Sequence, residues 1–320
     1  VSLELPYWFV VSVAVALGLA WGSFLNVVIY RLPRGQSVAF PGSRCASCGT
    51  PLRAIDNVPV LSWVFLRGRA HCCKTRISPR YPIVEAIGGL AGYAVCDHVY
   101  SVIGPDAAPL ALLGHFACLL ALSLGLIALI FIDLEYMILP DEITLGGTAL
   151  GILTAQFRHV GWLESIGGAV FGFVLVWLPF VYLYKKWRGV PGMGLGDAKL
   201  LLLAGAWFGY RGALFALTAG AVQGTFAAVV VLLVKGRIEE PEAVKQERQE
   251  LRVHLETLEG EARAELEKEL AEDPLANEPE DGIGKARLPF GPFLALATLE
   301  YLFVGQPLVD GYLAILGGGI

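Results

Sequence analysis

Long apolar runs separated by short polar stretches set the plan of the chain. The first covers residues 6–30, and others follow at 82–103, 109–132, 143–158, 161–184, 198–210, 212–234 and 288–304. Most approach the roughly 20 residues a helix needs to cross a bilayer core. The alternation of a closed barrel is absent, so helices are the remaining way to satisfy backbone groups in lipid. Two boundaries are weakly marked. The run 143–158 is short, and 198–234 has to be cut near Gly209-Tyr210-Arg211-Gly212, because a helix of that length would be about 55 Å long. The pattern predicts an all-α polytopic membrane protein of about eight transmembrane helices.

Composition agrees: 55% of the 320 residues are hydrophobic and 17% charged, with a mean hydropathy of +0.61. That is too apolar for a soluble globular chain. The net charge of −5 hides a segregation. Residues 235–287 hold 16 of the 29 acids and 9 of the 24 bases, a local net of −7 that leaves +2 elsewhere. Segment 31–80 carries nine bases against one acid, Asp56. Glu4 precedes the first run and Arg31 and Arg34 follow it, the flanks of a retained anchor and not of a cleaved signal peptide. The positive-inside rule then puts 31–80 in the cytoplasm. An eight-span count keeps Lys185, Lys186, Arg188 and 235–287 on that side and both termini outside.

The expected organisation is a first transmembrane helix (1–30) and a small basic, cysteine-containing cytoplasmic domain (31–80). Helices 2–7 (81–234), an acidic cytoplasmic insertion (235–287) and a last helix with its tail (288–320) follow. Within the insertion Leu251, Leu255, Leu258, Ala262, Leu266 and Leu270 recur at three or four, an amphipathic helical pattern.

Chemistry concentrates in Gly192-Met193-Gly194-Leu195-Gly196-Asp197-Ala198-Lys199, where alternate glycines free the backbone just before an apolar run. Asp197 reads either as a cap on the next helix or as a reactive carboxylate. The topology puts it at the same face and depth as Asp133, in Phe131-Ile132-Asp133-Leu134-Glu135, although the two are 64 residues apart in sequence. Paired aspartates hydrolyse peptides when one activates water and the other, protonated, assists at the carbonyl oxygen. At ~4 Å and an effective dielectric of ~20 their repulsion is ~4 kcal/mol, enough to make one proton shared. Asp141, Glu142 and Glu135 compete for these roles. Residues two apart on a helix do not share a face, so Lys199 is expected to point away from Asp197, towards lipid phosphate.

Cys45-Ala46-Ser47-Cys48 has the spacing of a zinc half-site. The second half departs from it: His71-Cys72-Cys73 follows, with Ala70 where a C-x-x-C would have its first cysteine. Structural zinc on Cys45, Cys48, Cys73 and either Cys72 or His71 is one reading, and metal-free thiols the other. Cys96 and Cys118 lie in apolar runs and read as packing residues.

These motifs together resemble the type IV prepilin peptidase family, the bifunctional leader peptidases of pilus and type II secretion systems. The likeness includes Gly22-Ser23-Phe24-Leu25-Asn26 through Arg31-Leu32-Pro33, the Cys45/Cys48 loop and Ile77-Ser78-Pro79-Arg80-Tyr81-Pro82. It continues through Asp133 with Leu139-Pro140-Asp141, and Gly192 to Lys199, the Gly-x-Gly-Asp signature of an intramembrane aspartyl protease class. The resemblance implies that Asp133 and Asp197 are catalytic, with Gly194, Gly196 and Lys199 in the active-site loop. It implies a bacterial inner-membrane location and prepilin or pseudopilin substrates whose short basic leader is cut after a glycine at the cytoplasmic face. It further implies N-methylation of the new N-terminus from S-adenosylmethionine. A peptidase-only member is the alternative, and a carboxylate-lined transporter a more distant one. No nucleic-acid partner is expected.

Ala70 and the long acidic insertion depart from the family pattern. The basic 31–80 segment should rest on anionic headgroups, leaving the acidic arm, Asp141 and Glu142 as the electrostatic complement of a basic leader. Gly146, Gly147, Gly151, Gly167 and Gly168 are expected either to admit the substrate helix or to pack internally.

Overall fold

The computed structural model describes residues 6–45, 47–105, 107–189, 191–235, 241–257, 260, 263, 288–305, 307–309 and 311. Its contacts divide the chain into two compact units, Val1–Ala128 and Leu129–Ile320. Among the described residues the secondary structure is helical, apart from two isolated β-bridges.

The first unit is built on α1 (Tyr7–Arg31) and α3 (Arg80–Ile103), with the short α2 (Leu61–Phe65) in the segment between them. Glycine decides how α1 and α3 pack. A Cβ on Gly88 would come 2.7 Å from the Gly22 Cα, and one on Gly22 would come 2.9 Å from the Glu85 Cα. Backbones therefore touch, which is how helices gain dispersion contacts where lipid removes the hydrophobic drive. Asn26 donates from Nδ2 to the Tyr81 carbonyl (3.1 Å) at the same interface. The α2 segment is tied down by Glu85, whose carboxylate accepts the Val60 N–H at 2.7 Å. Helix α4 (Pro109–Tyr136) begins in this unit and ends in the second.

The second unit contains α5 (Asp141–Leu153), α6 (Trp162–Val176), α7 (Tyr184–Arg188), α8 (Leu195–Lys235), α9 (Glu242–Thr257) and α10 (Gly291–Glu300). Between α6 and α7 the chain widens into a π-helix, Trp177–Leu183. It contains Pro179, which has no N–H to give an α-helical ladder. Another π-turn, Tyr301–Gly305, follows α10.

Helix α8 is broken at Gly209, where φ is 65° and ψ −166°. The break falls in the stretch that span length required to be cut. It leaves carbonyls at the end of the first half without helical partners, and neighbouring side chains supply them. Ser165 donates to the Ala206 carbonyl at 2.7 Å. Arg158 donates to those of Trp207 (2.9 Å) and Gly151 (2.7 Å), with its guanidinium 4.3 Å from the Trp207 ring. The lower half packs on α5 and α6 through Gly147 against Leu203, Gly151 against Trp207, and Gly168 against Gly205. These three glycines thus serve internal packing, while Gly146 and Gly167 meet nothing within 4 Å. The upper half packs on α10 at Gly220 and Gly224, and Gln223 donates to Glu300 at 2.6 Å.

Among the described residues, five helices are long and apolar enough to cross a membrane: Tyr7–Arg34, Arg80–Ile103, Pro109–Tyr136, Trp162–Arg188 and Leu195–Val234. Broken at Gly209, the last supplies two of the expected runs. Helix α5 has 13 residues, about 20 Å, and falls short of the expected 143–158 span because the chain turns at Thr154. Of the insertion helix, Leu251 and Leu255 lie in α9; Leu258, Ala262, Leu266 and Leu270 lie outside the described residues.

Gly205→Val should lower the thermal midpoint in detergent by the equivalent of about 3 kcal/mol or more, since the new side chain meets the Gly168 backbone, which cannot yield. Gly146→Ala, with open space around it, should leave the melt unchanged.

Candidate active site

Asp133 lies one turn before the end of α4, after a buried apolar run that includes Leu126, Leu129 and Ile132, and is itself 5% exposed. The chain leaves the helix through Met137, whose φ of 54° is the left-handed conformation of a helix cap. Its N–H still bonds the Asp133 carbonyl at 3.0 Å. Pro140 then starts α5, and Asp141 and Glu142 fall in the first turn, where the helix dipole favours acids.

Asp197 is the third residue of α8, and the Gly194 N–H donates to its carboxylate. This is the return half of a capping box, a third-position acid reaching back to the residue before the helix. The N-cap place expected for Asp197 as one alternative falls to Gly194 instead, because α8 already begins at Leu195. The bond from Gly194 also aims the carboxylate: Asp197 lies close enough for its charge to act on Asp133. The glycine loop is anchored from behind, because the π-turn offers the Phe180 carbonyl to the Gly192 N–H at 2.8 Å.

Asp133 has its own glycine donor. The Gly291 N–H at the start of α10 bonds its carboxylate, and a Cβ at 291 would stand 2.6 Å from Oδ2. Gly291 was missed from sequence; it lies 158 residues beyond Asp133, across the acidic insertion. Its one local signal is the Pro289-Phe290-Gly291-Pro292 stretch at the foot of an apolar run. Leu139 joins the two halves. It would meet a Cβ on Gly196 at 3.1 Å and one on Gly291 at 3.0 Å, so its side chain lies over the glycines flanking both acids.

The remaining expected residues sort by distance from this pair. Lys199 points away from Asp197 as expected, but it pairs with Asp141 (Nζ to Oδ1 2.6 Å and Oδ2 2.8 Å) instead of reaching for lipid. Asp141 is thereby partly neutralised. Glu142 is exposed.

In the first unit the four cysteines converge. The Sγ atoms of Cys45, Cys48, Cys72 and Cys73 all lie within 4.8 Å of one another. Two knuckles of matching geometry present them. In one, the Cys45 N–H bonds the Thr50 carbonyl and the Gly49 N–H the Cys45 carbonyl, both at 2.9 Å. In the other, the Ala70 N–H bonds Thr75 (2.8 Å) and the Lys74 N–H bonds Ala70 (2.9 Å). Each is closed by a bridge, Arg44 to Pro51 and Arg69 to Arg76. Ala70 thus stands where Cys45 stands in its counterpart, and Cys73 matches Cys48. The missing sulfur comes from Cys72, 3.3 Å from Cys48, while Cys45 and Cys73 are 3.7 Å apart. Thr50, through its hydroxyl and backbone N–H, holds the Cys48 thiol down at about 6. Thr75 likewise lowers Cys73. Cys72 is pushed up to about 12, chiefly by its hydrogen bond to Cys48.

Comparison with known proteins matches the chain in two parts, with a boundary between residues 99 and 120. The model of the bacterial peptidase A24 N-terminal domain matches residues 16–99, and that of the type IV leader peptidase family matches 120–229, which holds both aspartates. Among curated relatives is a prepilin leader peptidase/N-methyltransferase of Burkholderia pseudomallei strain 1026b, 32% identical over 344 positions, covering 98% of this chain and 90% of the relative. Proteins of the same name from Pseudomonas putida and Neisseria gonorrhoeae are each 36% identical, over 253 and 255 positions. They cover 72% of this chain and 83% and 85% of their own length, respectively. No solved structure matches the chain.

Proposed function

Because the chain belongs to the type IV leader peptidase family, we propose that Asp133 and Asp197 are the carboxylates with which it removes the leader of prepilins. The observation that carries this reading is that two acids remote in sequence meet at helix ends, each held by one glycine N–H. In the proposed reaction the ionised carboxylate takes a proton from water as the water oxygen bonds the peptide carbon. The protonated partner gives its proton to the carbonyl oxygen. Collapse of the diol then breaks the C–N bond, one carboxyl protonating the leaving amine while the other recovers the diol proton. The single glycine donors fix one side of each carboxylate and leave the others for water and substrate. Gly196 lets the loop lie close against Leu139, which provides an apolar wall.

The bond cut is the one after the glycine that ends a short basic leader, at the cytoplasmic end of the substrate's apolar helix. The cytoplasmic assignment, with both termini outside, rests on the surplus of Lys and Arg in 31–80 and at 185–188. The family's second activity methylates the freed amine, with S-adenosylmethionine supplying the methyl group. The described residues hold no strand–glycine–helix cradle of the dinucleotide type.

Four sulfurs at these separations fit tetrahedral zinc, which would close the two knuckles and leave no open position for catalysis. Cys72 would be a ligand in place of the absent cysteine at 70, and His71 would not. Binding would displace the Cys72 proton.

Asp133→Asn and Asp197→Asn should each cut the turnover of a purified precursor by about 10²-fold or more while the thermal melt stays folded; cleavage surviving in either would refute the dyad. Metal analysis should find zinc bound to the wild type and to His71→Ala, and lost from Cys72→Ser. Retention by Cys72→Ser would exclude Cys72 as a ligand.

A further inference from the structure

We infer that the Asp141–Lys199 ion pair is a latch that fixes the separation of the two proposed catalytic carboxylates, which makes both partners positioning residues. The inference rests on the dyad reading and adds to it. Each partner sits a short covalent distance from one acid: Asp141 eight residues after Asp133, and Lys199 two after Asp197. Otherwise the chain joining them runs through 58 residues. The bridge therefore closes a small ring: Asp133, the turn at Met137, Asp141, Lys199 and Asp197. Leu139 fills the ring, resting on Gly196 and on Gly291, whose N–H holds Asp133.

The turn at 137–140 is irregular, with Met137 at φ 54°. The glycine loop is tied to the π-turn at Gly192, on the far side of Asp197 from the latch. Further along, Gly147 and Gly151 of α5 pack on Leu203 and Trp207 of α8; the bridge adds a polar tie between the first turns, where apolar contact by itself fixes direction poorly. Lys199 meets both oxygens of Asp141, a two-point grip that sets orientation as well as distance. The side chains are 22% and 53% exposed, so the pair adds little to global stability. Its effect should fall on geometry, where misplacement by about 1 Å can cost up to about 10²-fold in rate.

The test uses the purified full-length chain and a prepilin-like precursor. Lys199→Gln and Asp141→Asn should each lower kcat by about tenfold, with KM within about twofold. Lys199→Arg, which keeps the charge and the two-point grip, should retain most of the activity. The double variant Asp141→Asn/Lys199→Gln should lose no more than either single one, because both remove the same interaction. Losses that multiply in the double variant, or a fall in thermal midpoint with kcat unchanged, would overturn the latch. Asp197→Asn serves as the reference: if it still cleaves, the dyad reading has failed, whereas an inactive Asp197→Asn beside a fully active Lys199→Gln refutes the latch alone.

Discussion

A carboxylate brought out of water must be given something in exchange, and here each of two acids is given a single backbone N–H. Asp133 takes that of Gly291 and Asp197 that of Gly194. One donor orients a carboxyl group without saturating it, which leaves the proposed dyad room for a shared proton and a water. At 291 the donor is a glycine for a steric reason, since a methyl group there would collide with Oδ2 of Asp133; at 194 one would stand 3.5 Å from Oδ2 of Asp197, an ordinary contact. A methyl group at 196 would press on Leu139.

The rest of the second unit holds those helix ends in register. Glycine contacts bring α5 and α6 against the first half of α8 at backbone distance, which fixes where Asp197 emerges. The break at Gly209 separates that rigid half from the half that carries α10, and with it Gly291. Ser165 and Arg158 satisfy the carbonyls of Ala206 and Trp207 there, which lowers the cost of the change of direction in lipid. The π-turn at 177–183 does a similar service, its Phe180 carbonyl holding the glycine loop at Gly192.

Much of this was legible in the sequence because the controlling signals are local. Apolar run lengths mark the helices and demand the cut near Gly209. The surplus of Lys and Arg around 31–80 and 185–188 indicated one face for Asp133 and Asp197 before any contact was known. The capping geometry of Asp197 follows from its place after Gly194. What could not be read depends on three-dimensional meeting points. Gly291 lies beyond the acidic insertion with no periodicity to link it to Asp133. The Lys199–Asp141 pair joins residues whose local context predicts solvent or headgroups for each. For the fourth position of the cysteine cluster the sequence leaves Cys72 and His71 as alternatives, and it is the convergence of the four Sγ atoms that favours Cys72.

The central claim is one of proximity, and distance measured in a membrane tests it without assuming any reaction. With the six native cysteines replaced by serine, cysteines at 133 and 197 should be joined within one chain by a short bifunctional thiol reagent. The link should survive in dilute, reconstituted protein. Failure to link in a chain shown to be folded, or labelling of the two positions from opposite sides of the bilayer, would contradict the account.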